Sequence, residues 1–351
     1  MNLENNTLKK KTILLIGPYS SVGGVSIHIK RLSAHLKDFY NFDFIDESPL
    51  CDISGNVYNI RSKNLLKYIK LIVQSDIVHI HTGVWWLRCF HIFTAFLLRK
   101  KVIVTIHSLS NLSNNILIQF TRLFLILNKK TITVSDEVAQ KIKPKAEYIL
   151  PAFLPPVMEE EKTLPKEILR ILEECKDSKI IVSNAFKLVL HKNEDLYGLD
   201  LMIDVARMVK KEKKRYKIIF VVATINDRLR LYDSYMGIIK EEELESVISL
   251  IPYSISFVRL MQKSDLVVRA TNTDGDALTV REAMFFKIPI IASNVVKRPE
   301  NVILFKNRDS IDLFSKITKV LENGECNDMI NNQNDYDISY YQNYYHSIYS
   351  S

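Results

Sequence analysis

The strongest constraint in this sequence is a rhythm: short β-branched, aliphatic runs alternate with longer amphipathic stretches, and the alternation runs twice. Thr12-Ile-Leu-Leu-Ile-Gly17 is apolar nearly throughout. A strand of that kind is buried on both faces of a parallel sheet, rather than wet on one side. Further strands are expected at 42–45, 77–80, 102–106 and 131–134, with helices over 26–36, 62–74, 84–99, 113–128 and 136–142. The apolar residues Ile27, Leu32 and Leu36 give the first helix its buried face. The segment 151–156, Pro-Ala-Phe-Leu-Pro-Pro, interrupts the pattern, and a charged stretch over 159–179 follows it. The rhythm then restarts, with strands at 179–182, 216–222, 247–251, 266–268 and 288–292 and helices at 198–211, 278–286 and 309–322. A tail rich in tyrosine closes the chain, and the spacing of Tyr340 and Tyr341 to Tyr344 and Tyr345 fits a helical face.

Alternation of this length predicts two doubly wound, Rossmann-like α/β units. The first is expected over 1–155 and the second over 156–335, with a helix at about 336–351 packing back on the first. The 351 residues suit two domains. Ligands of such sheets sit beyond the carboxyl ends of the strands, and two facing sheets would make a cleft.

Composition excludes several classes. With 47% hydrophobic and 25% charged residues, the chain is neither collagen-like, mucin-like nor wholly disordered. No apolar run approaches the ~20 residues that cross a bilayer, and the polar, then basic N-terminus lacks a signal peptide's apolar centre. Cys51, Cys89, Cys175 and Cys326 are widely spaced and form no Cys-x-x-Cys pair, so they read as reduced thiols of a cytoplasmic protein. Charge is lopsided: residues 1–150 carry 20 Lys and Arg against 10 Asp and Glu, whereas the remainder carries 28 against 30. An excess of that kind attracts phosphate-rich surfaces.

Three segments could carry chemistry. The loop Gly17-Pro-Tyr-Ser-Ser-Val-Gly23-Gly24 follows the first strand. Its paired glycines allow close backbone approach, and the helix N-terminus behind them favours an anion. It is neither Gly-x-Gly-x-x-Gly nor a P-loop, and a turn without a ligand is equally compatible with it. His107 stands just past the strand at 102–106, followed by Ser108, Ser110 and Asn111, and is either a site residue or a surface imidazole. In Ile77-Val-His79-Ile-His81, His79 reads as a satisfied core residue, and no third ligand at useful spacing makes the two a metal pair.

The most informative segment is 267–284. A strand ends near Arg269, a turn holding Asp274-Gly-Asp276 follows, and a helix opens near Ala277. Asp274 or Asp276 could cap that helix, leaving Glu282 solvated. Alternatively the N–H groups of Ala277, Leu278 and Thr279 face a phosphate, while Asp274 and Glu282 accept sugar hydroxyls. Arg269 and Arg281 could offset phosphate charge. Asp274-Gly-Asp276 also spells the Asp-x-Asp of metal-dependent sugar transferases, but its place late in the chain argues against a metal role.

These pieces, taken in order, resemble a retaining glycosyltransferase of the GT-B fold, family 4. The matching elements are Gly-Pro-Tyr-Ser-Ser-Val-Gly23-Gly24-Val-Ser, Asp76-Ile-Val-His-Ile-His81, Val104-Thr-Ile-His107, Val134-Ser135, the region from Asn184 to Asp200, Asp274-x7-Glu282-Ala and Pro289-Ile-Ile-Ala-Ser293. The resemblance implies that Gly23 and Gly24 lie against the donor diphosphate or sugar and that His107 stands beside the reacting sugar. It further implies that Asp274 holds donor-sugar hydroxyls, that Glu282 binds the ribose, and that the Leu278 and Thr279 N–H groups take the phosphates. No metal and no cofactor are implied; cations and helix dipoles then stabilise the leaving diphosphate.

Two departures matter. The family's Gly-Arg appears as Asn184-Ala185, and its Lys-Gly as Tyr197-Gly198. Losing both cations removes charge-assisted bonds of about 1.5–3 kcal/mol each. Lys187, two residues beyond Ala185, is expected to substitute, with help from Arg269 or Arg281.

The aromatic stretch 84–101, ending Arg-Lys-Lys, and the stretch 115–130 either cover the sheet or lie on a membrane surface. Such enzymes extend lipid-linked glycans or lipopolysaccharide core. The resemblance therefore implies a glycan or lipid-linked acceptor, a place in cell-surface polysaccharide synthesis, and peripheral residence on the anionic inner face of the plasma membrane. Neither a strand platform nor a recognition helix for nucleic acid is evident. Two other readings stay open: a non-catalytic partner subunit with this fold, and a sugar-nucleotide epimerase.

Overall fold

The computed structural model describes residues 10–21, 23–49, 57–108, 115–128, 130–142, 147–225, 230–275, 277–324 and 338–350. Its chain divides into two compact units, Met1–Leu154 with Tyr336–Ser351, and Pro155–Asp335.

Unit 1 is built on seven parallel strands: β1 (Thr12–Gly17), β2 (Asn41–Asp46), β3 (Val57–Asn59), β4 (Ile77–Ile80), β5 (Lys101–Ile106), β6 (Lys130–Thr133) and β7 (Tyr148–Ile149). They lie in the order β3-β2-β1-β4-β5-β6-β7. Between them run α1 (Gly24–Leu36), α2 (Leu65–Gln74), α3 (Trp85–Leu97), α4 (Asn115–Leu125) and α5 (Asp136–Ile142). Strand order reverses between β1 and β4, so the loops leaving those strands part there and open a place for a ligand. Asp76 fixes the start of that pair, since its carboxylate accepts the Thr12 N–H at 2.8 Å while its own N–H donates to the Thr12 carbonyl. Gly17 ends β1 where a Cβ would come within 2.8 Å of Ile29 Cδ1 and 3.2 Å of His81 Cβ, so α1 and the end of β4 can close on it only because it is glycine.

Unit 2 begins with α6 (Lys166–Glu174) and β8 (Lys179–Ala185). A short antiparallel hairpin, β9 (Leu190–His191) with β10 (Glu194–Asp195), leads into α7 (Leu199–Lys211). Next come β11 (Tyr216–Val222), α8 (Leu231–Glu241), β12 (Ile248–Ile251), α9 (Phe257–Met261), β13 (Leu266–Arg269), α10 (Leu278–Phe285), β14 (Ile290–Ser293), β15 (Ile303–Phe305) and α11 (Ser310–Asn323). The six-stranded parallel sheet runs β12-β11-β8-β13-β14-β15, with its reversal between β8 and β13. Val182, Ile219, Val267 and Ala292 on one face and Ile181, Ile218, Phe220 and Val268 on the other are buried, which explains why these strands are apolar without alternation.

The last helix, α12 (Ile338–Ser350), belongs to unit 1 and buries Tyr341, Tyr345, Ile348 and Tyr349. Lys101 and Lys130 donate from the sheet to the Ile348 carbonyl near its C-terminus, where cations complement the exposed carbonyls.

The structure departs from the sequence expectations in places. The charged stretch 159–179 contains α6, whose only buried side chain is Ile168; so thin an apolar stripe leaves little periodicity to read. Strands β3, β7, β9, β10 and β15 are two or three residues long and carry no legible pattern. Helix α1 starts at Gly24 rather than residue 26 and buries Ile29, not Ile27, together with the polar Ser26, His28 and Arg31. Cys89 and Cys175 are free thiols, while Cys51 and Cys326 lie outside the described residues.

Candidate active site

In unit 2 the ligand-facing segment is the turn from β13 to α10, at the reversal point of the sheet. Arg269 closes β13 and grips Asp274 with two bonds, Nε to Oδ2 at 3.1 Å and Nη2 to Oδ1 at 3.2 Å. A second guanidinium arrives from beyond β14: Arg298, whose side chain is 2% exposed, donates from Nη1 to Asp274 Oδ2 at 3.0 Å and from Nε to the Ser293 carbonyl. The Thr271 hydroxyl and the Gly275 N–H complete the shell around the carboxylate. Burial pushes the Asp274 carboxyl up, but Arg269 first and then Arg298 outweigh it, so the group is held below the ordinary carboxylate value.

Asp274 therefore does not cap α10, and Asp276 lies outside the described residues. The N-cap is Ala277, which makes no side-chain bond to the first turn. Leu278 and Thr279 thus open α10 without a side-chain cap, the arrangement that receives anions. The Thr279 hydroxyl donates to Asn184 Oδ1 at the end of β8. Glu282 is buried one turn further on, and Arg281 is half-buried beside it.

The residues standing where the resembled family has Gly-Arg and Lys take other parts: Ala185, in the place of the Arg, is buried in the sheet. Asn184 meets Thr279, and the Tyr197 ring lies under the Arg269 guanidinium, 5.3 Å from centroid to Cζ. Gly198 follows in the left-handed region at φ 73°, where a Cβ would fall 2.3 Å from the Ala270 carbonyl oxygen. Asp195 secures this corner by accepting the N–H groups of Tyr197, Gly198 and Leu199. Lys187 lies exposed in the bend after β8, and no carboxylate among the described residues pairs with it.

Unit 1 presents its own set beyond β1, β4 and β5. The loop after β1 is pinned by the Ser26 hydroxyl, within 2.7 Å of the Tyr19 carbonyl and 2.6 Å of that of Ser21. Gly23 is extended, with open space where a Cβ would stand, and Gly24 begins α1; both are exposed at an N-terminus with no side-chain cap. Val22, Ser110 and Asn111 lie outside the described residues. His107 Nε2 lies 3.1 Å from His81 Nδ1. Burial drives His107 well below the ordinary imidazole value, with His28, His79 and Arg88 adding to it. Burial likewise lowers His81, and it brings His28 down to about 4 against the opposing bond to the Ala152 carbonyl. His79 is a satisfied core residue, with Thr105 Oγ1 and the Tyr349 hydroxyl each 2.8 Å from a ring nitrogen.

Residues 173–335 match the family model described as glycosyl transferases group 1, a stretch running from the end of α6 through α11. Over 133 residues the chain is 26% identical to the poly(ribitol-phosphate) alpha-N-acetylglucosaminyltransferase of Staphylococcus aureus (strain COL), covering 36% of this chain. That match spans about a quarter (26%) of the relative's length. Solved structures match over nearly the whole chain. Anabaena HepE in complex with UDP superposes with a TM-score of 0.71 at 14% identity, covering 97% of this chain and 100% of that one. A glycosyltransferase from Rickettsia africae ESF-5 gives 0.67 at 16% identity, covering 98% and 100%. The fold is GT-B. The group 1 match falls within unit 2, and the segment from Arg269 to Glu282 lies inside the matched residues.

Sequence reasoning missed three residues of these sites. Arg298 is separated from Asp274 by 24 positions and lies past another strand; nothing linear joins them. His28 and Arg88 sit on helix faces read as apolar, and only the fold reveals that they are buried. The expectation that His81 has no third ligand within reach held for sequence spacing alone, because the fold brings His28 and His107 to it.

Proposed function

We propose that this chain is a glycosyltransferase that takes a sugar from a nucleotide-sugar donor and passes it, with retention, to a glycan or lipid-linked acceptor in cell-surface polysaccharide synthesis. The observation that carries the reading is the β13–α10 turn: an uncapped helix start, two arginines fixed on Asp274 and a buried Glu282, all within the group 1 match. HepE was crystallised with UDP and with UDP-glucose, which supports a nucleoside diphosphate sugar as the donor class.

In this reading the Leu278 and Thr279 N–H groups and the α10 dipole receive the diphosphate, and Glu282 takes the ribose hydroxyls. Asp274, whose two oxygens already accept five donors, aims Arg269 at the phosphates rather than holding a sugar hydroxyl itself. Lys187 supplies the mobile cation that the lost Arg and Lys would have given, and Gly23 and Gly24 admit the donor closely. His107, kept neutral, accepts or donates a hydrogen bond to the reacting sugar without a fixed charge. Positive charge for the leaving group comes from the chain itself, so we expect turnover without added divalent metal.

Unit 1 also supports a peripheral membrane contact. Helices α3 and α4 bury one face and leave Trp86, Phe93, Phe96, Phe120 and Leu123 exposed on the other, in the half of the chain with excess Lys and Arg. No helix of the described residues is long and apolar enough to cross a membrane. Pelleting with anionic vesicles at low salt and release at high salt is the expected behaviour; no pelleting in either condition removes the membrane contact.

The deciding experiment screens nucleotide sugars for thermal stabilisation, then follows turnover and product anomer by NMR. Arg269→Ala should weaken donor affinity about 10- to 100-fold, and Lys187→Ala should weaken it less. Unchanged turnover and donor affinity in both variants would show that these cations do not hold the diphosphate. Donor binding with no turnover on any acceptor would favour the partner-subunit reading.

A further inference from the structure

Three histidines distant in the sequence meet in unit 1. His28 lies on the second turn of α1, His81 is the first residue past β4 and His107 the first past β5. Since β1, β4 and β5 are parallel neighbours and α1 follows β1, the topology delivers all three side chains to one place. One ring nitrogen of each lies within 4.8 Å of the other two, and ring centroids are 4.9 Å apart for His28 and His107, 5.3 Å for His28 and His81, and 5.4 Å for His81 and His107.

We propose that His28, His81 and His107 bind one zinc-type divalent ion through three imidazole nitrogens, with the fourth coordination position open toward the exposed side of His107. Three features support it. His28 Nδ1 lies 2.7 Å from the Ala152 carbonyl, so that nitrogen carries the proton and Nε2 presents its lone pair; metal-binding histidines are oriented through just such a bond on the other nitrogen. The facing His81 and His107 nitrogens are 3.1 Å apart, close to the roughly 3.3 Å that separates ligands in a tetrahedral site with zinc–nitrogen bonds of about 2.0–2.1 Å. Finally, the cluster holds imidazoles and no carboxylate. That donor set suits zinc and its neighbours rather than magnesium or calcium, which take oxygen ligands.

The Tyr345 hydroxyl, 3.3 Å from His28 Nε2, would have to yield that lone pair to the ion. A bound ion would also occupy His107, so zinc would inhibit the transfer reaction proposed above. The site itself is independent of that reaction, because binding can be measured with neither donor nor acceptor present.

The test uses the full chain, stripped with chelator and desalted. Zinc is titrated in competition with a chromophoric chelator, and cobalt is added separately to read the visible absorption of a low-symmetry N-ligated site. One equivalent should bind saturably, undisturbed by millimolar magnesium. His28→Gln and His81→Gln should each weaken zinc at least about 100-fold, while Tyr345→Phe, which removes only the competing hydroxyl, should bind as tightly as the parent or more so. Circular dichroism and thermal melting report whether each variant folds. Absence of stoichiometric zinc binding and of the cobalt spectrum in the parent chain overturns the proposal, whatever the variants do. So does parent-like binding by folded His28→Gln and His81→Gln, which would place the ion elsewhere.

Discussion

At the scale of single residues, Arg298 shows how much a site can depend on a side chain outside it. Its guanidinium is buried and holds both Asp274 and the Ser293 carbonyl. Removing Arg298 takes one of two guanidinium partners from Asp274, and a hydrogen bond to a charged group contributes about 1.5–3 kcal/mol. Arg298→Ala should therefore destabilise unit 2 by about that amount, seen as a lower urea midpoint, and weaken donor binding because Asp274 and Arg269 are less firmly fixed. The effect has a pH signature. Asp274 is held below its ordinary value of 3.8, so its contribution is fully present above that pH and fades as pH falls through the lower folded value. The gap in stability between parent and Arg298→Ala should narrow in that acid range; a gap constant down to pH 2 would mean that the pair contributes little. Arg269, whose side chain is 13% exposed against 2% for Arg298, should cost less stability and more affinity.

At the scale of elements, most long ones were legible and the short ones were not; the exception is α8, eleven residues long yet with Ile239 its only buried residue, where the sequence leads one to expect no helix. The strands β1, β4, β5, β8, β11, β13 and β14 could be read because burial on both faces demands a largely apolar run, whereas β2, β6 and β12 showed only as shorter runs of β-branched and aromatic residues. Helix α12 could be read because its tyrosines recur every four residues. Helix α6 and the two- and three-residue strands were not, since so few buried positions make no period. At the candidate site, the turn with Asp274, Leu278, Thr279 and Glu282 was visible locally, whereas the Arg298 contact and the His28–His81–His107 cluster are products of topology. Two substitutions test elements directly. Gly198→Ala forces a Cβ onto the Ala270 carbonyl in a left-handed backbone, and should destabilise unit 2 by about 2 kcal/mol or more, seen as a lower urea midpoint with an unchanged slope. Tyr349→Phe takes from α12 its bond to His79, leaving a buried ring nitrogen without its partner. A loss of about 1–3 kcal/mol is expected; an unchanged melting temperature would mean that α12 is held by apolar contact alone.

At the scale of the whole molecule, the two units should respond differently to acid. Four imidazoles of unit 1, those of His28, His79, His81 and His107, are lowered by burial. Around His28 stand Arg31, the other three histidines and the Tyr345 hydroxyl. In the metal-free chain the sign follows from the direction of the shift. The unfolded chain takes up a proton near the ordinary imidazole value of 6.5, whereas folded His28 resists until about 4. Stability is thus fully present above 6.5 and is lost as pH falls from there toward 4, which for His28 alone amounts to about 3 kcal/mol. Unit 2 has no comparable group among its described residues, and Asp274 gives way only at lower pH. With chelator present, denaturation followed at pH 7.5 and pH 5 should show unit 1 weakening strongly while unit 2 barely moves, resolved by hydrogen exchange of peptides from β4 and β5 against those from β11 and β13. His28→Gln should flatten the pH dependence of unit 1, because a side chain that cannot titrate cannot favour the unfolded state in acid. Equal loss in both units, or an undiminished slope in that variant, would place the acid sensitivity somewhere other than the histidine cluster.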